Sequence, residues 1–191
     1  MILSILIPST FDRHEITHDL IDDLLRQAEE EGEKDNIEIL TAFDNREEST
    51  GSKRDYLIRK AKGKYVCFVD SDDYVTTDYI KLILSEIKKG VDVVGFKGWI
   101  TTNNKNRTSW IISKDMPYDT VTNIRGDAIL YRRFNNHLSP IKREIALQIG
   151  YRDMYVGEDY DYAVRLKASG LIKTEGFINK EIYHYKYITK K

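Results

Sequence analysis

Cysteine, proline and long hydrophobic runs are scarce or missing in this sequence of 191 residues. Cys67 is the only cysteine, so no intrachain disulfide can form, and we expect a buried thiol in a reducing compartment. No segment approaches the roughly 18 to 20 continuous apolar residues of a membrane-spanning helix. The apolar N-terminus lacks a preceding cationic segment and is short for a signal-peptide core, so we expect a protein of the cytoplasm.

Neither sign of charge dominates. The chain has 30 Lys and Arg against 31 Asp and Glu, which gives a formal net charge of -1. This balance argues against a protein that owes its main affinity to neutralising a polyphosphate backbone. With 41% hydrophobic residues, the chain is too apolar to be disordered and long enough to bury one sizeable core. We therefore expect residues 1–191 to form a single domain.

In the first half, short apolar segments alternate with segments of helical periodicity. The apolar segments predict strands at residues 2–7, 37–43, 64–69 and 91–96. The periodic segments between them predict helices at residues 15–28, 52–62 and 77–89. Strands and helices in strict alternation are typical of an α/β fold with a mainly parallel sheet and right-handed crossovers.

The second half is less regular. Residues 98–113 contain two tryptophans and a polar Asn-rich stretch, and they predict a hairpin or an ordered loop. Further strands are predicted at residues 128–133 and 181–187. Helices are predicted from about residue 140 and at residues 160–169.

The tetrapeptide Asp70-Ser71-Asp72-Asp73 directly follows the predicted strand at residues 64–69. In open α/β sheets, ligands bind at the carboxyl ends of the strands. Three carboxylates within four residues repel one another unless water or a cation compensates them, and Mg²⁺ or Mn²⁺ does this well. The segment is therefore a candidate metal site, or else a solvated loop in which one Asp caps the next helix.

Two further polar segments lie at the starts of predicted helices. Lys53 and Arg54 could gather around an anion at a helix N-terminus, or they could be surface cations on a capped helix. Glu158 and Asp159 precede the predicted helix at residues 160–169, where a carboxylate could act as a general base. Acidic residues also favour this position because of the helix dipole.

The order and spacing of these segments resemble the inverting glycosyltransferases of family 2. The resemblance rests on Ser4-Ile5-Leu6-Ile7-Pro8, on Gly63-Lys64-Tyr65-Val66-Cys67-Phe68-Val69 before the acidic tetrapeptide, and on Gly157-Glu158-Asp159-Tyr160-Asp161. It implies an α/β fold of the GT-A type, with a mainly parallel central sheet flanked by helices. Residues 1–97 would form the nucleotide-sugar-binding half, and residues 98–191 the acceptor and catalytic half.

The resemblance also implies a donor site. Asp44 corresponds to the acid that contacts the base or ribose, and Lys53 and Arg54 to the basic segment that approaches the diphosphate. Asp70 would lie near the ribose or the metal, and Asp72 would ligate a Mn²⁺ or Mg²⁺ ion that bridges the diphosphate oxygens. His184 would complete the metal coordination. The other expected donor contacts are Pro8, Ser9, Thr10, Arg13 and Ser71.

On the acceptor side, the resemblance implies that Asp159 deprotonates the acceptor hydroxyl and that Glu158 orients the acceptor or the base. His137 lies in the segment that would precede the helix from residue 140, and it is an expected acceptor contact, although a structural role fits it equally well. Trp99 is the other expected acceptor contact, as a stacking surface; the alternative for this residue is a place in the core.

These features together predict a metal-dependent, inverting glycosyltransferase that uses a nucleotide-diphosphate sugar, with a UDP-sugar favoured. The acceptor hydroxyl would belong to a glycan. Alternatively, because the compact form is similar to small phage-encoded members of the superfamily, it would belong to a hydroxymethylated DNA base in the host cytoplasm. A nucleotidyltransferase and a non-catalytic sugar-binding module are the alternative functions, and the sequence leaves the oligomeric state open.

Overall fold

The computed structural model describes residues 1–189, and positions 190 and 191 of the predicted domain lie outside the described residues. The helices are α1 (His14–Glu30), α2 (Thr50–Lys60), α3 (Tyr79–Ile87), α4 (Arg143–Ile149) and α5 (Glu158–Ser169). The strands are β1 (Leu3–Thr10), β2 (Ile37–Asp44), β3 (Tyr65–Phe68), β4 (Tyr74–Val75), β5 (Val93–Thr102), β6 (Lys105–Ile112), β7 (Asp119–Thr122), β8 (Ala128–Arg133), β9 (Ile141–Lys142) and β10 (Glu175–Tyr187). None of the helices within residues 1–189 has the length and apolar character needed to cross a membrane.

The strands form one sheet in the order β2-β1-β3-β9-β5-β6-β8-β7, with β10 paired to both β5 and β4. β1 runs parallel to β2 and β3, and the long β5–β10 ladder is also parallel. Antiparallel pairs are added by the hairpin of β5 and β6, by the short strands β4 and β9, and by the outer strand β7. The predicted α/β fold with a mostly parallel central sheet is confirmed.

Helices cover both faces of β1, which explains why this strand is an almost continuous apolar segment. Leu3, Ile5 and Ile7 are completely buried on the face covered by α1 and α3. Leu6 is buried on the other face, where α2, α4 and α5 pack. Because successive side chains of a strand point to opposite faces, each face needs its own apolar residues.

The only cysteine is buried, as predicted. Cys67 lies on the same side of the sheet as α3, and its Sγ is 3.8 Å from the hydroxyl oxygen of Tyr79. Burial raises the pKa of the Cys67 thiol to about 12. The thiol is therefore a small hydrophobic group at neutral pH and not a reactive thiolate.

The second half differs from prediction at several boundaries. Residues 98–113 form the hairpin alternative, with Asn103 and Asn104 at φ 52° and 60°, as a two-residue type I′ turn requires. The helix expected from residue 140 begins at Arg143, because Ile141–Lys142 first pairs with β3 and β5. The last strand begins at Glu175 and not at residue 181. Strands β4 and β7 are too short and polar to be recognised from the sequence.

Gly98 of β5 allows the indole of Trp110 to lie directly over the strand. A Cβ atom at this position would lie 2.1 Å from Cζ2 of Trp110 and 2.5 Å from the carbonyl oxygen of Tyr183. We expect Gly98→Ala to lower the free energy of unfolding by about 1–3 kcal/mol, because the indole must move within a packed interior. Urea denaturation would measure this loss. Lys97→Ala, on the opposite face of the same strand, is the control and should change stability by less than about 0.5 kcal/mol.

Candidate functional site

Polar side chains gather where β1, β2 and β3 end. Thr10 pairs with Asp44 at the ends of β1 and β2, and Asp70 follows β3. Pro8 is buried within β1, and the buried Ser9 follows it. Because these parallel strands end at one edge of the sheet, the predicted donor residues come together there, as the ligand sites of open α/β sheets do.

Lys53 joins two of these strand ends. Its Nζ donates hydrogen bonds to the carbonyl oxygen of Ser9 (2.9 Å) and to Oδ1 of Asp44 (2.6 Å). Burial would raise the pKa of Asp44, but Lys53 and the N–H of Glu48 outweigh it and keep that pKa below its ordinary value. The side chains of Lys53 and Asp44 therefore form a nearly buried ion pair at the floor of the site.

The helix that carries Lys53 and Arg54 begins earlier than predicted. Ser49 is its N-cap, and the Ser49 Oγ accepts a hydrogen bond from the N–H of Ser52 at 3.0 Å. Asp153 accepts hydrogen bonds from the hydroxyls of both serines. The cap thereby connects the start of α2 to the segment that leads into α5.

Asp70 is the centre of a buried ionic network. Nη2 of Arg54 donates to Oδ1 of Asp70 at 2.8 Å, and Nε of Arg54 donates to Oε1 of Glu158 at 3.2 Å. Nε2 of His137 lies 3.4 Å from Oδ2 of Asp70. Burial alone would raise the pKa of Asp70, but Arg54 and His137 outweigh it and hold that pKa well below the usual range. Arg54 thus connects the end of β3 to the start of α5.

The other two acids of the tetrapeptide have different surroundings. Asp73 is buried, and its carboxylate accepts hydrogen bonds from the Tyr183 hydroxyl (2.7 Å) and the Lys186 N–H (2.9 Å). Burial and the charge of Asp70 raise the pKa of Asp73 well above its ordinary value. Its two oxygen atoms are therefore occupied by β10, and its role is structural.

Asp72 is the most accessible of the three acids. Its side chain is 39% exposed, and Oδ2 lies 2.9 Å from Nη2 of Arg13. Arg13 also donates to the hydroxyl of the buried Ser71 at 3.4 Å. Burial raises the pKa of Asp72, while Arg13 acts in the opposite direction. Among residues 1–189, Arg13 is the only residue that forms an ion pair with Asp72.

Helix α5 presents Glu158 and Asp159 at its N-terminus. Gly157 precedes them at φ 80°, a left-handed conformation that glycine adopts without strain. Glu158 is buried and held by Arg54, whereas Asp159 is half-buried. Within the described chain, the Asp159 carboxylate has neither an ion-pair nor a hydrogen-bond partner. Asp159 is therefore free to accept a proton from a bound molecule.

A cavity of about 490 Å³ connects these groups. Its charged lining consists of Arg54, Arg133, Asp70, Asp73, Glu158 and Asp159, with His137 beside them. Aromatic side chains complete the lining, namely Trp110, Tyr118, Tyr131, Tyr155 and Tyr185. An open, partly aromatic cavity with convergent carboxylates is typical of a small-molecule or carbohydrate site.

Known structures share this fold. The chain aligns with S. aureus TarS 1–349 in complex with UDP-GlcNAc at a TM-score of 0.66 and 17% identity, over 100% of this chain and 60% of that chain. It aligns with the catalytic domain of Drosophila beta1,4galactosyltransferase 7, in complex with xylobiose, at a TM-score of 0.59 and 15% identity, over 95% of this chain and 68% of that chain. The chain thus spans 60% of TarS 1–349, and the alignments establish the GT-A fold.

The sequence profile of Glycosyl transferase family 2 matches residues 44–150, which is more than half of the chain. The chain belongs to glycosyl transferase family 2. The family match and the GT-A fold agree with the predicted glycosyltransferase assignment. No curated protein sequence matches it. Asp44, Asp70 and His137 lie within the matched range, whereas Asp159 lies beyond it.

The structure does not bring His184 to the acids of this family 2 glycosyltransferase. Tyr183 and Tyr185, on either side of it in β10, face Asp73 and the cavity, so the side chain of His184 leaves the opposite face of the strand. Its ring stacks on Trp99 at 4.9 Å, and its Nε2 is 2.8 Å from Oγ1 of Thr101. The expectation that His184 completes a metal site with Asp72 thus finds no support in this geometry.

Trp99 also lies away from the cavity of the family 2 glycosyltransferase. It packs between His184 and Arg107, whose Cζ lies 5.3 Å from the Trp99 ring centroid. Trp110 lines the cavity instead, because it pairs with Gly98, one residue before Trp99, and neighbouring strand positions face opposite sides. The structure therefore places Trp110, and not Trp99, in the lining of the cavity.

Of the carboxylates at residues 70–73, that of Asp72 is the one that fits a hard divalent ion. No group of three or more His, Cys, Asp or Glu side chains among residues 1–189 is arranged to hold a metal ion. Asp70 and Asp73 have both carboxylate oxygens engaged, whereas Asp72 is partly exposed and pairs with Arg13. Mg²⁺ is commonly held by one or two carboxylates together with substrate phosphates and water. Asp72 therefore fits such an ion in the presence of a diphosphate.

Proposed function

We propose that this glycosyltransferase moves a sugar, with inversion, from a nucleotide-diphosphate sugar to an acceptor hydroxyl. A UDP-sugar is the favoured donor, since the similar TarS structures hold UDP or UDP-GlcNAc. Residues 1–97 would supply most donor contacts, and residues 98–191 most acceptor contacts. Arg54 and Asp70 come from the first part and Asp159 from the second, and all three line one cavity.

In the proposed reaction, Asp159 is the general base. The acceptor O–H bond breaks and its proton moves to the Asp159 carboxylate, while the acceptor oxygen forms a bond to the anomeric carbon of the donor. The bond from that carbon to the diphosphate breaks, and its electron pair leaves with the nucleoside diphosphate. Of the four carboxylates that line the described cavity wall, Asp159 alone has no partner, and one base without a second nucleophile suits a single displacement with inversion.

The donor would lie along the ends of β1, β2 and β3. Asp44, held by Lys53, would face the nucleoside, and Arg13 lies beside Ser71 and Asp72, where the diphosphate is expected. Buried nitrogen atoms with no partner among the described residues support a polar ligand next to Asp70: these are Nη1 of Arg54 and Nδ1 of His137. Polar atoms buried without a partner are costly unless a ligand or water satisfies them.

The proposal includes a divalent ion at Asp72, either Mn²⁺ or Mg²⁺. When bound, such an ion would act as a Lewis acid that stabilises negative charge on the leaving diphosphate. Arg13 supplies further positive charge next to Asp72. Ser71 is buried beneath Arg13 and positions its guanidinium.

The observation that best supports the proposal is that Asp70 and the unpartnered Asp159 line the same cavity. It is tested by incubating the protein with UDP-, GDP- and TDP-sugars, Mn²⁺ or Mg²⁺, and an acceptor panel that includes glycans and hydroxymethylated DNA. We expect mass spectrometry to detect a glycosylated acceptor and free nucleoside diphosphate. Pyrophosphate as the product would instead indicate nucleotidyl transfer. Donor binding without turnover across the whole panel would indicate a sugar-binding module.

Asp72→Asn should weaken the metal-dependent binding of UDP by about tenfold, because the ion loses a charged oxygen ligand. Calorimetric titration of UDP in Mn²⁺ would measure this change, and the same titration in EDTA should show little difference between the variant and the wild type. Asp19→Asn removes an exposed acid from the same surface groove and serves as the control. Equal affinity of wild type and Asp72→Asn in Mn²⁺ would exclude Asp72 as a ligand.

A further inference from the structure

Arg133 lies in the wall of the cavity at the end of β8. Among residues 1–189 it makes no ion pair, whereas Arg54, the other guanidinium that lines this cavity, has two carboxylate partners. Nη1 of Arg133 donates to the carbonyl oxygens of Asp119 (2.6 Å) and Arg132 (2.8 Å). These backbone contacts hold the guanidinium in place and leave its charge without an anion.

The nearest acid is already occupied. The carboxylate of Asp119 accepts two hydrogen bonds from Arg132, from Nε at 2.8 Å and from Nη2 at 2.6 Å. This bidentate pair satisfies the geometry that a guanidinium and a carboxylate prefer. The direct contacts of the Asp119 carboxylate are therefore with Arg132 and not with Arg133.

Two tyrosines fix the orientation of Arg133. Its Cζ lies 4.2 Å from the ring centroid of Tyr118 and 5.2 Å from that of Tyr131, and both rings line the cavity. The ring of Tyr118 also packs edge-on against Tyr160, the residue after Asp159 in α5, with the ring centroids 4.8 Å apart. Arg133 thus lies on the same side of the cavity as the proposed base.

The position of β8 in the sheet separates Arg133 from the donor residues. The donor residues follow β1, β2 and β3, whereas β9, β5 and β6 lie between β3 and β8. Asp72 and Arg13, where the diphosphate is expected, are not among the residues that line this cavity with Arg133. An anion next to Arg133 would belong to the other substrate.

We propose that the acceptor carries an anionic group, a phosphate or a carboxylate, which binds Arg133 while the reacting hydroxyl lies at Asp159. This inference rests on the proposed function, and it names the chemical class of the acceptor. Arginine suits this task because its planar guanidinium presents several donors to a phosphate or carboxylate. The faces of Tyr118 and Tyr131 would flank the carbon skeleton next to the anion.

Matched pairs of acceptor analogues test the proposal. The pairs are methyl glucuronide with methyl glucoside, and glycerol 1-phosphate with glycerol, each titrated by ligand-observed NMR onto the protein saturated with UDP and Mg²⁺. We expect the anionic member of at least one pair to bind about tenfold more tightly. The first pair reports a carboxylate and the second a phosphate, so the comparison also identifies which anion is preferred.

Three variants test whether the preference for the anionic analogue depends on the side chain of Arg133. Arg133→Gln keeps a donor for the carbonyl of Asp119 but lacks the charge, and it should abolish the preference. Arg133→Lys should keep part of it, and Arg125→Gln, which removes an exposed arginine outside the cavity, should behave as the wild type. Equal binding of both members of each pair, including no binding of either, would overturn the proposal, and so would a preference that survives Arg133→Gln. UDP binding in the same samples reports the donor site separately, so a failed donor assignment is recognised by its own signal.

Discussion

Asp159→Asn should lower the rate of sugar transfer by about 100-fold or more while leaving the affinity for the nucleotide little changed. The amide of Asn has nearly the same shape as the carboxylate but cannot take the proton of the acceptor hydroxyl. Asp159 makes no hydrogen bond or ion pair within residues 1–189, so the substitution removes no described contact of the folded chain. The loss should therefore appear in kcat, as measured by release of nucleoside diphosphate with saturating donor.

Asp161→Asn is the matched control. It removes the same charge from the first turn of α5, but at a position where the carboxylate pairs with Arg165 (2.7 Å) and Arg152 (2.9 Å). We expect this variant to lose some stability and to keep a kcat close to that of the wild type. Transfer by Asp159→Asn at the rate of the Asp161→Asn control would exclude Asp159 as the base.

Arg54→Met should lower the free energy of unfolding by about 3 kcal/mol, because it leaves Asp70 and Glu158 without their shared cation. The side chain of Arg54 is only 4% exposed, and those of Asp70 and Glu158 are 25% and 9% exposed, so water can compensate the loss only in part. Urea denaturation at pH 7 would measure the effect. Sugar transfer should fall as well, since Arg54 holds the end of β3 against the start of α5.

The pH dependence of stability shows whether Arg54→Met acts through the lost ion pairs or through a packing defect. In the wild type, Arg54 and His137 hold the pKa of Asp70 below its ordinary value, so the stability from this contact is present at neutral pH and is lost as the pH falls below about 4. Without Arg54, burial raises the pKa of Asp70. Protonation of Asp70 at low pH then removes the cost of a buried, unpaired carboxylate in the variant. The stability deficit should therefore narrow between pH 7 and pH 4.

Arg59→Met is the control on the same helix. Arg59 pairs with Asp55 at 2.6 Å, but its side chain is 62% exposed. Exposed pairs contribute less than about 1 kcal/mol, so we expect a small loss that does not depend on pH in this way. A deficit of similar size in both variants would argue against a special role for the buried network around Asp70.

The sequence alone predicts the strands and helices of residues 1–97 well, because these elements follow local rules. The strand at residues 2–7 is apolar throughout since helices cover both of its faces, and the acids of residues 70–73 follow a buried strand directly. Parallel strands with helical crossovers end at one edge of a sheet. The resemblance to family 2, and not this geometry alone, assigned Asp44 and Asp70 to one site.

The acceptor half depends on pairings between distant segments, which local patterns do not encode. β8 pairs with β6 in parallel, and this pairing brings Arg133 to the cavity beside Trp110. Nothing in the sequence around Arg133 distinguishes it from Arg132, which pairs with Asp119 outside the cavity. Which of Trp99 and Trp110 faces the cavity likewise depends on the alternation of side chains along β5 and β6. This alternation can be assigned to a face only when the strand register is known.

Tyr183 gives the donor loop a dependence on the last strand of the sheet. Its hydroxyl accepts a hydrogen bond from the N–H of Asp70, 113 positions earlier, and donates one to Asp73, 110 positions earlier. Contacts of such long sequence separation require the closure of a long loop, which costs entropy. The arrangement of residues 70–73 therefore depends on the last strand of the sheet, although these residues lie in the first half of the chain.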